Sequence, residues 1–282
     1  MELEGRVALV TGASRGVGAA TAVALAAAGC LVACAARSTQ EEPQRTPGTL
    51  DEVVGRIEQA GGRALAVPTN LADQDQVEAM VARTVGHFGA LHILVNNAAI
   101  TFVGDLDIPI HRHDLIMEVD LRAPILATRF SVPHMRAAGE GHVLNVSSYA
   151  AMRPIPGLMT YGIAKIGLEH FTLDAARELQ GDNIAVNCFR IDIPVASEGF
   201  VANTPGLDRS EWEPAEVAAE GILWMLSRPM PYSGRRESMY DLRVREGIMA
   251  SRAPRPYSGT PPATEMFDGL APPQESTYRE PY

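Results

Sequence analysis

The chain has 282 residues, enough for one large domain or two small ones with a sizeable core. Apolar residues make up 46% and charged residues 21%, a balance that excludes global disorder. The formal net charge of −10 argues against a nucleic-acid partner, because an acidic surface repels phosphates. The arginines between Arg235 and Arg245 form no basic patch, being interleaved with Glu237, Asp241 and Glu246.

Strand-like and helix-like stretches alternate from the start. Residues 6–10 read as a strand ending at Thr11-Gly12, and 17–28 as a helix of small residues stopped by Gly29. Residues 31–35 make a second buried strand. The run 19–36 is almost wholly apolar and long enough to raise a membrane span, but Gly29 divides it, so it is read as packed helix plus strand. Residues 38–49 are polar, with two prolines, and predict an extended loop. Helices follow at 50–60 and 76–88, with a strand at 64–67 between them and another at 92–95. A long helix is predicted over 115–138, bent near Pro124 and Pro133, then a strand at 143–146 and a second long helix at 159–179. Strands at 184–189 and 239–244 enclose a helix at 214–226. Continuous apolar strands alternating with helices imply an α/β fold with a parallel sheet covered on both faces. Residues 1–247 are expected to form one domain, followed by a Pro-rich extension at 248–282.

The acidic N-terminus is not expected to be a secretory signal. Cys30, Cys34 and Cys188 fit neither a zinc nor a redox spacing and are read as buried apolar residues of a protein in a reducing, cytoplasmic compartment. His111 and His113 have acidic neighbours but no third ligand at motif spacing, so no metal is expected.

Chemistry concentrates in two places. The turn Thr11-Gly12-Ala-Ser14-Arg15-Gly16-Val17-Gly18 follows a strand and opens a helix. Glycine lets the backbone turn tightly and lets a pyrophosphate approach main-chain N–H groups at the helix N-terminus. The second strand ends Ala35-Ala36-Arg37-Ser38 with no acid to bind a ribose 2′-hydroxyl, whereas Arg15 and Arg37 could grip a 2′-phosphate, favouring NADP(H) over NAD(H). Further on, Tyr161 and Lys165 stand at i and i+4 of a helix, where a cation one turn away is expected to lower a phenol from ~10 toward neutrality. Ser148 ends the fifth strand, where ligands bind parallel sheets, and its hydroxyl could hold a carbonyl oxygen.

Together, TGxxxGxG at 11–18, Asn96-Asn97-Ala98-Ala99, Ser148 and the Tyr161/Lys165 pair resemble the short-chain dehydrogenase/reductase family over residues 5–245. The resemblance implies a Rossmann-like, doubly wound sheet of seven strands. It further implies that Tyr161 is the general acid/base, Ser148 orients the carbonyl, and Lys165 binds the nicotinamide ribose and tunes Tyr161. Asn96, Asn97 and Ala98 would frame the cofactor pocket, with Asn70 and Leu71 at the adenine. Two long helices would pair subunits into a homodimer or homotetramer.

The sequence departs from the family at four places. Asp120 replaces the usual Asn, though its main-chain carbonyl could still hold a relay water and its charge could support Lys165. Asn70 replaces an Asp. Ile191-Asp192 replaces Pro-Gly at the nicotinamide site, which leaves Ile193 backbone and Ser197 to serve there. The Pro-rich tail is additional. Phe102, Val103, Ile155, Met159 and Phe200, adjacent to motif positions, suggest an apolar carbonyl or alcohol substrate. Two other classes remain open: an NADP(H)-binding regulatory protein without turnover, and a lyase or epimerase using the same tyrosine.

Overall fold

The structure is a computed structural model describing residues 2–44, 46–203 and 206–257. Short runs of Val, Leu and Ala form its inner strands. β1 (Val7–Thr11) pairs in parallel with β2 (Leu31–Ala36), Val7 facing Leu31, and on its other side with β4 (Ile93–Asn96). β3 (Arg63–Pro68) flanks β2. β5 (Gly141–Ser148), β6 (Ile184–Ile191) and β7 (Arg236–Ser238) extend the sheet beyond β4. The order is β3-β2-β1-β4-β5-β6-β7, which is the expected seven-stranded doubly wound topology. Direction of growth reverses between β1 and β4, and the loops leaving those strand ends diverge to open a crevice.

Side chains alternate across each strand, so Ala8 and Val10 enter one core while Val7 and Leu9 enter the other. α1 (Gly16–Ala27), α2 (Leu50–Gln59) and α8 (Ala215–Leu226) cover the first; α3 (Gln74–Phe88), α5 (Ala123–Ala138) and α6 (Met159–Leu179) cover the second, and a short α7 (Glu198–Asn203) lies between β6 and α8 in the chain. The run 19–36 divides into α1 and β2 at Gly29, and no helix of the described residues is long and apolar enough to cross a membrane. The loop predicted at 38–49 ends in a capping box. Thr49 Oγ1 accepts from the Glu52 N–H, and Glu52 Oε2 accepts from the Thr49 N–H.

Two expectations about elements fail. Residues 239–244 are not a strand: β7 is the preceding Arg236–Ser238, and Met239–Glu246 form a helix, α9. Ser238 caps it by accepting from the Asp241 N–H at 3.1 Å, Arg243 and Arg245 occupy its last turn, and Gly247 closes it with φ +66°. These end signals outweigh the apolar alternation of the segment. The helix predicted over 115–138 begins earlier, with α4 (Ile110–Met117), and its irregularity lies before the prolines. Glu118–Arg122 form a π-helical turn, while Pro124 sits in the first turn of α5, where no donor is required. Met249, just past the expected domain boundary, is buried in the first core. The part of the expected tail at 258–282 lies outside the described residues.

Candidate active site

One cavity of about 690 Å³ follows the crevice at the carboxyl ends of the strands. It is lined by Gly12, Ser14, Arg15, Gly16, Val17 and Gly18 at one end and by Ser148, Tyr161 and Lys165 at the other. Arg37, Asn70, Leu71, Asn97, Ala98 and Ile193, read from scattered positions, line it too. Asp120 does not; it is fully buried behind the wall.

The glycine turn fits a nucleotide. Gly12 has φ +69°, and a Cβ there would stand 2.8 Å from Ala98 Cα. A Cβ on Gly18 would stand 2.3 Å from the Gly12 carbonyl oxygen. Only glycine fits at these two positions, and the turn they allow sets main-chain N–H groups at the N-terminus of α1, which could receive a phosphate. Thr11 locks the crossover: its hydroxyl accepts from the backbone N–H groups of Asn97 and Ala98 at 3.1 Å, while Asn97 Nδ2 donates to the Thr11 carbonyl at 2.9 Å.

The two expected phosphate-binding arginines have different surroundings. Arg15 donates to the carbonyls of Thr46, Pro47 and Gly48 at 2.8, 2.7 and 3.0 Å, folding that loop over the glycine-turn end of the cavity. Burial and the neighbouring Arg37 pull its pKa down, while Glu198 opposes them. Arg37 is exposed at the cavity rim. Gln44 and Thr46 thereby join the lining, a contribution the sequence signalled only as a long loop.

At the other end, Leu158, Tyr161 and Lys165 turn the same side toward the cavity at helical spacing. Met159, expected there, is not part of the lining. Lys165 is 2% exposed, lies 5.5 Å from the centre of the Tyr161 ring and donates from Nζ to the Val146 carbonyl at 3.2 Å. Burial raises the Tyr161 pKa; Lys165 and a hydrogen bond with Ser148 act downward without cancelling it, and Asp120 adds to the rise. The expected lowered phenol is therefore not observed: desolvation outweighs the cation.

Asp120 lies in the π-helical turn. Its Oδ1 accepts from the Ile100 N–H at 2.9 Å, while its buried Oδ2 has no hydrogen-bond partner among the described residues. Burial pushes its pKa up to about 7, against the pull of Lys165 and the Ile100 hydrogen bond. Asn96 does not line the cavity. Its Nδ2 donates to Asn145 Oδ1 at 2.9 Å, and Asn145 Nδ2 donates to Thr172 at 2.9 Å, joining β4, β5 and α6.

Asp192 also lines the cavity, yet its carboxylate serves the fold. It accepts from the Ser238 hydroxyl and, at 3.0 Å, from the Tyr240 N–H, fixing the start of α9 to the end of β6. Ile193 is 1% exposed, with Ser197 close by at the cavity. Among the described residues, no cluster of three His, Cys, Asp or Glu could hold a metal.

The sequence profile of the family described as short chain dehydrogenase matches residues 6–193. Hydroxysteroid dehydrogenase-like protein 2 of Xenopus tropicalis is 32% identical over 252 residues, covering 88% of this chain and 60% of that protein. This chain thus spans about 60% of the length of such curated relatives. A short chain dehydrogenase of Mycobacterium thermoresistibile superposes with TM-score 0.78 at 30% identity, covering 90% of this chain and 94% of that one. A short chain dehydrogenase of Burkholderia cenocepacia in complex with NADP gives 0.72 at 30% identity, covering 84% and 97%. The chain belongs to the short-chain dehydrogenase/reductase family of NAD(P)-dependent oxidoreductases.

Proposed function

We propose that this protein interconverts a carbonyl compound and its alcohol with NADP(H). The observation that carries this reading is the gathering of Tyr161, Lys165 and Ser148 at one end of the cavity whose other end is the glycine cradle. When bound, the nicotinamide supplies the hydride. Tyr161 Oη gives the proton to the carbonyl oxygen, and the Ser148 hydroxyl orients that oxygen. The raised pKa of Tyr161 keeps it protonated at neutral pH, the form a reduction needs. Lys165, held by the Val146 carbonyl, stabilises the phenolate left behind and has further N–H donors for the ribose. Asp120 holds Ile100 at the cavity wall.

Arg37 supports NADP(H) over NAD(H): it stands at the end of β2 where a carboxylate would repel a 2′-phosphate. Phe102, Val103, Ile155 and Phe200 give the substrate end an apolar wall, consistent with relatives named for hydroxysteroids. We further propose pairing of subunits through α5 and α6, for which light scattering should give a dimer or tetramer. The test of the reaction is loss of nicotinamide absorbance with ketones, aldehydes and quinones, polycyclic ketones included, for wild type against Tyr161→Phe. Turnover by wild type alone supports the reading; equal turnover by both overturns it. Binding without turnover is the second reading, supported by Asp192, whose engagement with α9 replaces the family's Pro-Gly at the nicotinamide site.

A further inference from the structure

Among the described residues, the charged side chains lining the cavity are three cations, Arg15, Arg37 and Lys165, and a single acid, Asp192. Their placing along the cavity is uneven. Arg15 and Arg37 stand at the glycine-turn end, where a dinucleotide carries its phosphates. Asp192 stands at the opposite end. Ser148, the last residue of β5, faces Ile191, the last residue of β6, in the parallel register. Asp192 is therefore the first residue past the strand end beside Ser148, and neighbouring strands lie only ~4.8 Å apart.

The carboxylate is fixed there as an acceptor. Ser238 Oγ accepts from the Asp241 N–H at 3.1 Å, which leaves its own proton for Asp192 Oδ2, and the Tyr240 N–H donates to Asp192 Oδ1 at 3.0 Å. Both bonds are received, so neither needs a proton on the acid. They occupy two of roughly four acceptor sites and leave the negative charge in place. Burial raises the Asp192 pKa, and these two bonds and Arg190 act downward against it. Arg190 itself is turned to Glu169, donating to both its carboxylate oxygens, and Arg236 stands 3.8 Å from the same carboxylate.

The proposed reduction moves a hydride, one proton with two electrons, from the reduced nicotinamide to the carbonyl carbon, while Tyr161 gives a proton to the carbonyl oxygen. The products are the alcohol, a tyrosinate beside Lys165, and a nicotinamide ring with one positive charge. A hydride can reach a carbonyl held by Ser148 and Tyr161 only from a ring at the Asp192 end of the cavity. We propose that Asp192 selects the redox state of the cofactor: its carboxylate stabilises the positive charge that appears on the ring, tightening the hold on NADP+ relative to NADPH and making the bound reduced cofactor a stronger hydride donor. Asp192 neither gives nor takes a proton; it acts by a fixed charge placed where charge develops. This rests on the proposed carbonyl chemistry at Ser148 and Tyr161.

The test is the ratio of the dissociation constants of NADP+ and NADPH, measured calorimetrically in mildly alkaline buffer. The two ligands share their phosphates and adenosine, so the ratio isolates the charge of the ring. Asp192→Asn removes the negative charge and keeps an oxygen for the Tyr240 N–H. It should weaken NADP+ about tenfold and leave NADPH within about twofold, the order expected for two unit charges one or two strand spacings apart. Asp192→Ser, a second uncharged variant, should shift the ratio in the same direction. Ser238→Ala removes a bond and keeps the charge, so a loosened start of α9 should weaken both cofactors alike and preserve the wild-type ratio. A wild-type ratio in both Asp192 variants, or an equal shift in Ser238→Ala, overturns the inference and leaves the reductase reading intact. A shifted ratio in the Asp192 variants of a protein that turns over no carbonyl supports the fixed charge and overturns the reductase reading.

Discussion

Glu169 takes both its carboxylate oxygens to Arg190, Oε1 to Nε at 2.8 Å and Oε2 to Nη2 at 2.6 Å, with neither side chain more than 7% exposed. Oε1 also accepts from the Ser147 hydroxyl at 2.7 Å, so the pair ties α6, one turn after Lys165, to the ends of β5 and β6. Breaking a buried ion pair by removing one of its members costs roughly 3–5 kcal/mol. Glu169→Ala should lower the urea midpoint accordingly, whereas Glu169→Gln should recover part of the loss. An unchanged midpoint in Glu169→Ala would show that the pair is not structural.

Arg15 and Arg37 should separate in their effects. Loss of a charge-assisted hydrogen bond costs about 1.5–3 kcal/mol, or roughly ten- to a hundredfold in affinity. Arg37→Ala should weaken NADPH binding by that factor and leave NADH binding nearly as it was. Arg15→Ala releases the carbonyls of Thr46, Pro47 and Gly48, so it should weaken both cofactors. Titration by nicotinamide fluorescence distinguishes the two; a similar selective loss in both variants would place Arg15 on the 2′-phosphate.

Gly18→Ala forces a Cβ against the Gly12 carbonyl oxygen, backbone against backbone. No side-chain rotation relieves that clash, so the turn must shift. The variant should lose most NADPH affinity and unfold at a lower temperature by calorimetry. Normal binding would mean that the turn is not the pyrophosphate site.

Asp120 gives a pH dependence with a defined sign. Its folded-state pKa is raised from 3.8 to about 7, so the native state holds a proton that the unfolded chain has released between those values. Stability contributed by this group is present in acid and falls as pH rises from about 4 to 7, by up to about 1.36 kcal/mol per unit. His142, lowered from 6.5 to about 4 by burial, works oppositely over an overlapping range: its contribution is lost as pH falls from about 6.5 to 4. Asp120→Asn should therefore remove the falling component and gain relative stability above pH 7. Equal pH slopes of unfolding free energy in wild type and Asp120→Asn would contradict this assignment.

Motif residues were legible because each is dictated by a backbone requirement or a short spacing: Gly12 and Gly18 by close approach, Tyr161 and Lys165 by one helical turn. The parallel sheet was legible because its strands are apolar on both faces. What escaped lies in long-range partnerships. Asp192 shows in sequence as a missing glycine, but its purpose appears only with Ser238 and Tyr240 brought against it. The segment 239–244 carries apolar residues suited to either period, and the cap at Ser238 decides for helix. Arg252 and Ala253 stand in a Pro-rich stretch without periodicity, and what holds them, the Glu213 carboxylate, lies 39 and 40 residues earlier.

The most direct test of the central claim is single-turnover NADPH oxidation by wild type and Tyr161→Phe in the presence of a reducible ketone, with NADPH affinity measured alongside. If Tyr161 is the proton donor, the variant should bind NADPH as wild type does and lose about 10²–10⁴-fold in rate. Equal rates at equal NADPH affinity would contradict the account.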